Sequence, residues 1–293
     1  MKIFLTGGTG FVGKHILAEL QRRGCAVKAL VRRVGSLTGV EELIGDVTRP
    51  DTFPPQSLRD CHAAVHLVGV IREFPAKGIT FRRLHVEATE NVLRACREAG
   101  IRRYLHMSAL GASPHSAAQY HRSKAEAEEL VRKSGLDWTI FRPSVIIGTS
   151  GELITLLVRM VKKTVLPLVG DGSFPVAPVA ATTVAQAFAN ALENDIAIGK
   201  TYELGGEVLS FRELLDKITA IQKRKVFYVK VPVSLLKALT GPLDRFAFLP
   251  ITREQILMFE ENQPPKDYTI YDDLKLEYRG IREVLEEGLI ARK

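Results

Sequence analysis

Residues Lys2–Thr6 read as a short β-strand that runs into Gly7-Gly8-Thr9-Gly10-Phe11-Val12-Gly13 and on into an amphipathic helical pattern over residues 12–23. Few folds accept that order. Glycine is costly inside regular structure, so one at every third position calls for a reason in each case. Gly7 permits a tight turn, Gly10 lets the backbone approach a pyrophosphate, and Gly13 allows the helix to lie close on the sheet. The start of the helix then offers unpaired N–H groups and the positive end of its dipole to the phosphates. Thr6, Gly7, Gly10, Phe11, Val12 and Gly13 are therefore expected to cradle a dinucleotide.

The chain around this loop keeps the same rhythm. β-rich runs at Lys2–Thr6, Ala26–Val31, 63–68, 104–107 and 138–141 alternate with amphipathic stretches at 12–23, 80–99 and 124–133. Apolar strands separated by helices require a parallel sheet covered on both faces by right-handed crossovers. Gly24, Gly100 and Gly135 each end a helical run before a strand, as a residue of positive φ does. The expectation is a doubly wound α/β domain over residues 1–206, with a helix near 183–193 and a strand at 201–204 returning to the sheet. Glycine and proline crowd residues 147–178, which read as substrate-side loops. Residues 207–293 read as a smaller, mostly helical region, with one β-rich piece at 225–231, that closes over the core.

The end of the second strand decides the cofactor. An acid there binds the ribose 2′-hydroxyl of NAD, whereas an arginine accommodates the 2′-phosphate of NADP. This chain reads Ala29-Leu30-Val31-Arg32-Arg33. Guanidinium groups engage phosphate through paired charge-assisted hydrogen bonds, so Arg32 and Arg33 predict NADP(H) over NAD(H).

These residues, with Gly45-Asp46-Val47 and Leu136-Asp137-Trp138-Thr139-Ile140-Phe141-Arg142-Pro143, resemble the extended and atypical short-chain dehydrogenase/reductases. Within that superfamily the chain is most similar to the branch that contains the nucleotide-binding accessory subunit of respiratory complex I. The likeness covers residues 1–206 well and the remainder loosely. It implies a Rossmann fold with Asp46 by the adenine, Val68, Gly69 and Val70 along the cofactor, and Pro143, Ser144 and Val145 beside the nicotinamide. It also implies an oxidoreductase that moves hydride to or from a carbonyl or hydroxyl of an unidentified small molecule.

The family's proton chemistry uses a Tyr and a Lys four residues apart, with a Ser or Thr at the end of the preceding strand. Tyr120 and Lys124 match, and that spacing places both on one helix face. A neighbouring ammonium would lower the phenol pKa, and Ser108 would polarise the same substrate oxygen. Tyr271 and Lys275 satisfy the same spacing, but only the first pair opens a helix behind a serine-ended strand. Two departures bear on activity. His85 stands where the extended family carries an Asn, and the stretch Val176-Ala177-Pro178-Val179-Ala180-Ala181 lacks the acid of active relatives. Two alternatives therefore stand beside the oxidoreductase: a catalytically silent NADPH-binding scaffold for assembly or regulation, and a sugar-nucleotide epimerase or dehydratase.

Several other functions are excluded by composition and spacing. Cys25, Cys61 and Cys96 are an odd number with no paired spacing, so neither a disulfide framework nor a zinc site is expected, and the histidines show no metal-ligand spacing. The net charge of +8 comes from basic pairs dispersed along the chain, which argues against specific nucleic-acid binding. No apolar run reaches the roughly 18 residues of a membrane span. Glycines interrupt the first apolar stretch, so it does not read as a signal peptide and a cytoplasmic protein is expected. Residues 231–248 carry Leu235, Leu236, Leu239, Leu243, Phe246 and Phe248 near helical spacing. Packing on the core is their expected role, with a protein or peripheral membrane contact as the other reading.

Overall fold

The computed structural model describes residues 1–240 and 252–290. Its main sheet has seven strands: β1 (Lys2–Thr6), β2 (Ala26–Val31), β3 (Glu41–Ile44), β4 (Ala63–His66), β5 (Arg103–Met107), β6 (Asp137–Pro143) and β11 (Lys200–Leu204). They lie in the order β11-β6-β5-β4-β1-β2-β3, and every pairing is parallel. Strand order reverses between β1 and β4, so the crevice at the carboxyl ends of these strands is where this architecture binds its ligand.

Alternation along each strand fills both faces. Ile3, Leu5, Ala63, Val65, Leu105 and Phe141 pack with α1 (Phe11–Arg22) and α5 (Ala181–Leu192). Phe4, Ala64, Tyr104 and Ile140 pack with α2 (Ala88–Ala99) and α3 (Gln119–Arg132). β3 was not anticipated from the sequence. It is an edge strand whose residues are all exposed or half-buried, so it carries no apolar run. A π-helical turn, Arg82–Glu87, leads into α2.

A second core gathers α4 (Glu152–Val161), β8 (Val165–Val169), α6 (Phe211–Ile221), β13 (Phe227–Val231) and α10 (Ile281–Ile290). Two-residue pairings stitch it to the sheet: β7 (Ile146–Ile147) with β10 (Val179–Ala180), and β9 (Pro175–Val176) with β12 (Leu209–Ser210). Residues 147–178 thus hold a helix and paired strands as well as loops. The cores interleave along the chain. Ile270 and Leu274, on and just after α9 (Thr269–Asp273), return to the first core. There Asp273 accepts from Lys200 Nζ at 2.6 Å and from Tyr202 Oη at 2.7 Å.

β8 pairs with β13, and the ribbon they form turns Leu166, Leu168 and Tyr228 inward. Its other face is apolar and open, with Val165, Val229 and Phe227 exposed, Phe227 at 70%. α7 (Val233–Thr240) follows, with Leu235 also exposed. Residues 241–248 of the apolar stretch noted above lie outside the described residues. No helix among the described residues is long and apolar enough to cross a membrane.

Candidate functional site

A cavity of about 430 Å³ opens at the reversal of strand order. Gly7, Thr9 and Gly10 form its floor, and Arg32, Asp46 and Thr48 form one side. Val68, Gly69 and Val70 continue the wall beyond β4, and Lys77, Gly78 and Arg83 stand on a segment that bounds the remaining side. The glycines are dictated by geometry. Gly7 has φ of +80°, and a Cβ on Gly13 would sit 2.2 Å from the Gly7 carbonyl oxygen. Gly10 is the residue before α1, and among the described residues no side chain caps that helix end. The first N–H groups of α1 are therefore left for a ligand, and a dinucleotide pyrophosphate fits this cradle.

The predicted cofactor residues fall into two groups. Gly7, Gly10, Arg32, Asp46, Val68, Gly69 and Val70 line the cavity. Arg33 does not, nor do Thr6, Phe11, Val12 and Gly13, which shape the loop from behind. Thr6 turns its hydroxyl to His66 Nδ1 at 2.6 Å, and Phe11 meets His15 edge-on. Pro143, Ser144 and Val145 also lie off the cavity lining, but among the described residues the buried Ser144 hydroxyl has no partner, an orphan suited to a ligand on the nicotinamide side.

The proton-transfer residues are not assembled as the sequence suggested. Tyr104, His106 and Ser108 share one strand parity, so Ser108 faces α3 and donates to Glu128 Oε1 at 2.6 Å. The residue packed with Tyr120 is the next one along, Ala109, in an apolar cluster with Phe81 that Val70 and Met258 join. Among the described residues the Tyr120 hydroxyl has no hydrogen-bond partner, and burial pushes the phenol up to about 12. Lys124 is 3% exposed and donates to the Met107 carbonyl at 3.0 Å. Burial lowers its ammonium to about 8, with Glu128 acting the other way. The lysine thus does not lower the phenol pKa. It stands instead behind the cofactor wall, where a Cβ on Gly69 would lie 3.1 Å from Nζ.

Glu128 is fully buried and saturated. It accepts from Arg142 Nε at 2.7 Å and Nη2 at 2.6 Å, and from Arg132 Nη2 at 2.6 Å, besides Ser108. Truncation would leave two partly buried guanidiniums with only longer contacts, Arg132 to Glu129 at 3.7 Å and Arg142 to Glu203 at 3.8 Å. Glu128→Ala should therefore cost about 3 kcal/mol in urea unfolding, and a loss below about 1 kcal/mol would show that the network is dispensable.

Sequence reasoning noticed His85 only as a departure. The π-helical turn buries it, and its Nε2 accepts the Val70 N–H at 3.0 Å. The other nitrogen, Nδ1, therefore carries the proton and donates to Ser123 Oγ at 2.8 Å, which in turn donates to the Tyr120 carbonyl at 2.8 Å. His85 thereby ties the cofactor wall to α3. Beside it, Thr89 Oγ1 spends its proton on the His85 carbonyl at 2.5 Å, so His66 Nε2 is the donor to Thr89 at 3.2 Å. Thr6 then donates to His66 Nδ1. One hydrogen-bonded chain thus starts at Thr6, just before the phosphate loop, and reaches the carbonyl of His85.

The C-terminal region closes over this end of the site. α8 (Arg253–Glu260) brings Glu254 Oε1 within 2.7 Å of the Tyr120 N–H, and Glu261 Oε1 accepts the Ala117 N–H at 2.6 Å. The open N-terminus of α3 is capped in this way. Tyr271 of the second YxxxK match is elsewhere, its hydroxyl donating to the Gly205 carbonyl at 2.8 Å.

Comparison with known proteins agrees with this geometry. The profile of a family described as NAD(P)H-binding matches residues 7–195. The mitochondrial NADH dehydrogenase [ubiquinone] 1 alpha subcomplex subunit 9 of Arabidopsis thaliana is 30% identical, over 94% of this chain and 72% of its own length. An NAD(P)H azoreductase of Xenophilus azovorans is 27% identical, covering 82% of this chain and 80% of that protein. Among solved structures, the UDP-glucose 4-epimerase of Thermotoga maritima superposes with a TM-score of 0.77 at 16% identity, over 98% of this chain and 97% of that one, a likeness of fold. The chain belongs to the NAD(P)H-binding family, and its doubly wound sheet is that family's Rossmann fold.

Proposed function

We propose that the protein holds NADP(H) as a lasting ligand and serves as a cofactor-dependent scaffold for assembly or regulation, not as a Tyr120-driven carbonyl reductase. The observation that carries this reading is the side chain facing Tyr120: a methyl group from Ala109, with the Ser108 hydroxyl committed to Glu128. A phenol held up near 12 in an apolar cluster is a poor proton donor or acceptor at neutral pH. The glycine cradle, by contrast, is intact, and Arg32 on the cavity, with no acid at the end of β2 and no carboxylate paired to it among the described residues, supports NADP(H) over NAD(H). A bound dinucleotide supplies hydride chemistry; this chain's own residues orient it and shield its nicotinamide end.

The test is Tyr120→Phe. We expect NADPH affinity within about twofold of the parent, and no carbonyl substrate whose turnover depends on the hydroxyl. A substrate reduced by the parent chain and slowed about 100-fold or more in Tyr120→Phe would overturn the reading. Oxidoreductase activity remains the second reading. It is favoured by Lys124, an ammonium held near 8 directly behind Gly69, and by relatives named as reductases. Removing that buried cation with Lys124→Met should raise the melting temperature at pH 7, with the gain fading toward pH 10, where the unfolded chain also releases its proton.

A scaffold needs a contact face. We assign it to the open side of the β8–β13 ribbon, Val165, Pro167, Phe227 and Val229, together with the exposed Leu235 of α7, the helix that follows β13 in the chain. The complex I subunits among the relatives support a protein partner. A cytoplasmic setting remains part of this proposal, although those relatives are mitochondrial by name.

A further inference from the structure

We propose that Arg83 is the second cation of the 2′-phosphate site, the place that sequence reasoning gave to Arg33. This rests on the NADP(H) reading above and names how that phosphate is recognised. After β4 the chain folds back on itself. Phe74 N–H donates to the Ile79 carbonyl at 2.7 Å and Ile79 N–H to the Phe74 carbonyl at 3.2 Å, around a single turn at Pro75–Lys77. Glu73 holds the base of this flap by accepting the Phe81 N–H at 2.6 Å. Lys77, Gly78, Ile79 and Arg83 then line the same cavity as Gly7, Gly10 and Arg32.

Arg83 points to the corner where a ribose phosphate belongs. Its Nη2 lies 3.3 Å from Thr48 Oγ1, two residues past Asp46 at the end of β3. The ends of β2 and β3 are joined there, Gly45 N–H donating to the Val31 carbonyl at 2.9 Å, and Arg32 follows Val31 directly. Gly78 makes this reach feasible: its φ is +67°, and a Cβ on it would sit 2.5 Å from Arg83 Nη1. A side chain at residue 78 would displace the guanidinium.

Among the described residues no carboxylate pairs with Arg32, Lys77 or Arg83, while their neighbours are paired outward, Arg82 with Glu126 at 3.0 Å and Arg49 with Asp51 at 3.5 Å. Among the described residues one acid lines the cavity, Asp46, and its Oδ1 is occupied by the Thr48 N–H and hydroxyl, both at 2.8 Å. Three cations facing one engaged carboxylate suit a dianionic phosphate monoester, which NADP(H) carries and NAD(H) lacks. A planar guanidinium can grip it with two parallel bonds.

The test uses the full chain, titrated with NADPH and with NADH by nicotinamide fluorescence. Arg83→Ala should weaken NADPH by about 20-fold or more while NADH stays within about twofold. Arg33→Ala should leave both unchanged, and Arg83→Lys should keep part of the NADPH affinity, since charge survives and the fork does not. A thermal melt of each variant shows that the fold is kept. If the parent chain prefers NADPH but Arg83→Ala does not alter that preference, or weakens both ligands equally, this assignment is wrong and the NADP(H) reading stands. If the parent chain shows no preference for NADPH, both fail.

Discussion

Acidification from pH 7 to pH 5 should lower the unfolding temperature by about 10 °C, far more than an ordinary domain of this size loses over that range. The reason is three buried imidazoles. Burial, reinforced by the Lys124 charge, holds His66 down to about 3 and His85 down to about 2, and burial drives His106 well below its usual value. Below pH 6.5 the unfolded chain protonates these rings while the folded chain does not. The unfolded state then binds more protons, so stability falls as pH falls and is level above that window. At pH 5 the loss is roughly 2 kcal/mol for each ring. Among the described residues neither ring nitrogen of His106 has a partner, so His106→Leu should stabilise the fold at neutral pH and remove about a third of the acid slope. A melting temperature flat within about 3 °C from pH 7 to pH 5 would mean that the rings take up protons in the folded state.

Gly13→Ala is the second large effect. The added methyl carbon would sit 2.2 Å from the Gly7 carbonyl oxygen and 2.8 Å from Gly8 Cα, both backbone atoms that no rotamer can move. Either α1 lifts from the sheet or the phosphate loop opens. We expect a loss of about 3 kcal/mol or more in stability and of about 100-fold or more in NADPH affinity. Gly24→Ala is the control, a methyl added where there is room for it. Its φ is +73°, unlike that of helical Gly13, and among the described residues nothing stands within 4 Å of an added Cβ, so it should cost only about 1–2 kcal/mol of backbone strain and leave binding intact. If Gly13→Ala bound NADPH within about fivefold of the parent, close approach at this loop would not be what the glycine provides.

How much of this was legible depended on whether a residue's meaning is local. The phosphate loop was, because strand, glycine spacing and helix are contiguous, and so were the five apolar strands. β3 was not, since an edge strand of two glutamates, Leu43 and Ile44 has nothing to bury on its outer side. α4 could have been found from the helical spacing of Ile154, Leu157, Val158 and Val161, but the surrounding glycines and prolines dominated the reading. At the proton-transfer site one step of strand parity decided the outcome. Ser108 turns to Glu128 and Ala109 packs with Tyr120, which no spacing rule reveals before α3 is placed. Arg82-Arg83 read as one more dispersed basic pair. The fold separates them, sending Arg82 to Glu126 and Arg83 into the cavity.

The account is tested most directly by one titration of the parent chain with NADPH and with NADH, followed in the same cuvette by a panel of aldehydes and ketones. It predicts NADPH bound about tenfold or more tightly than NADH, with nicotinamide fluorescence that holds steady after the carbonyls are added. Tighter binding of NADH, or rapid loss of fluorescence on adding a carbonyl, would contradict it.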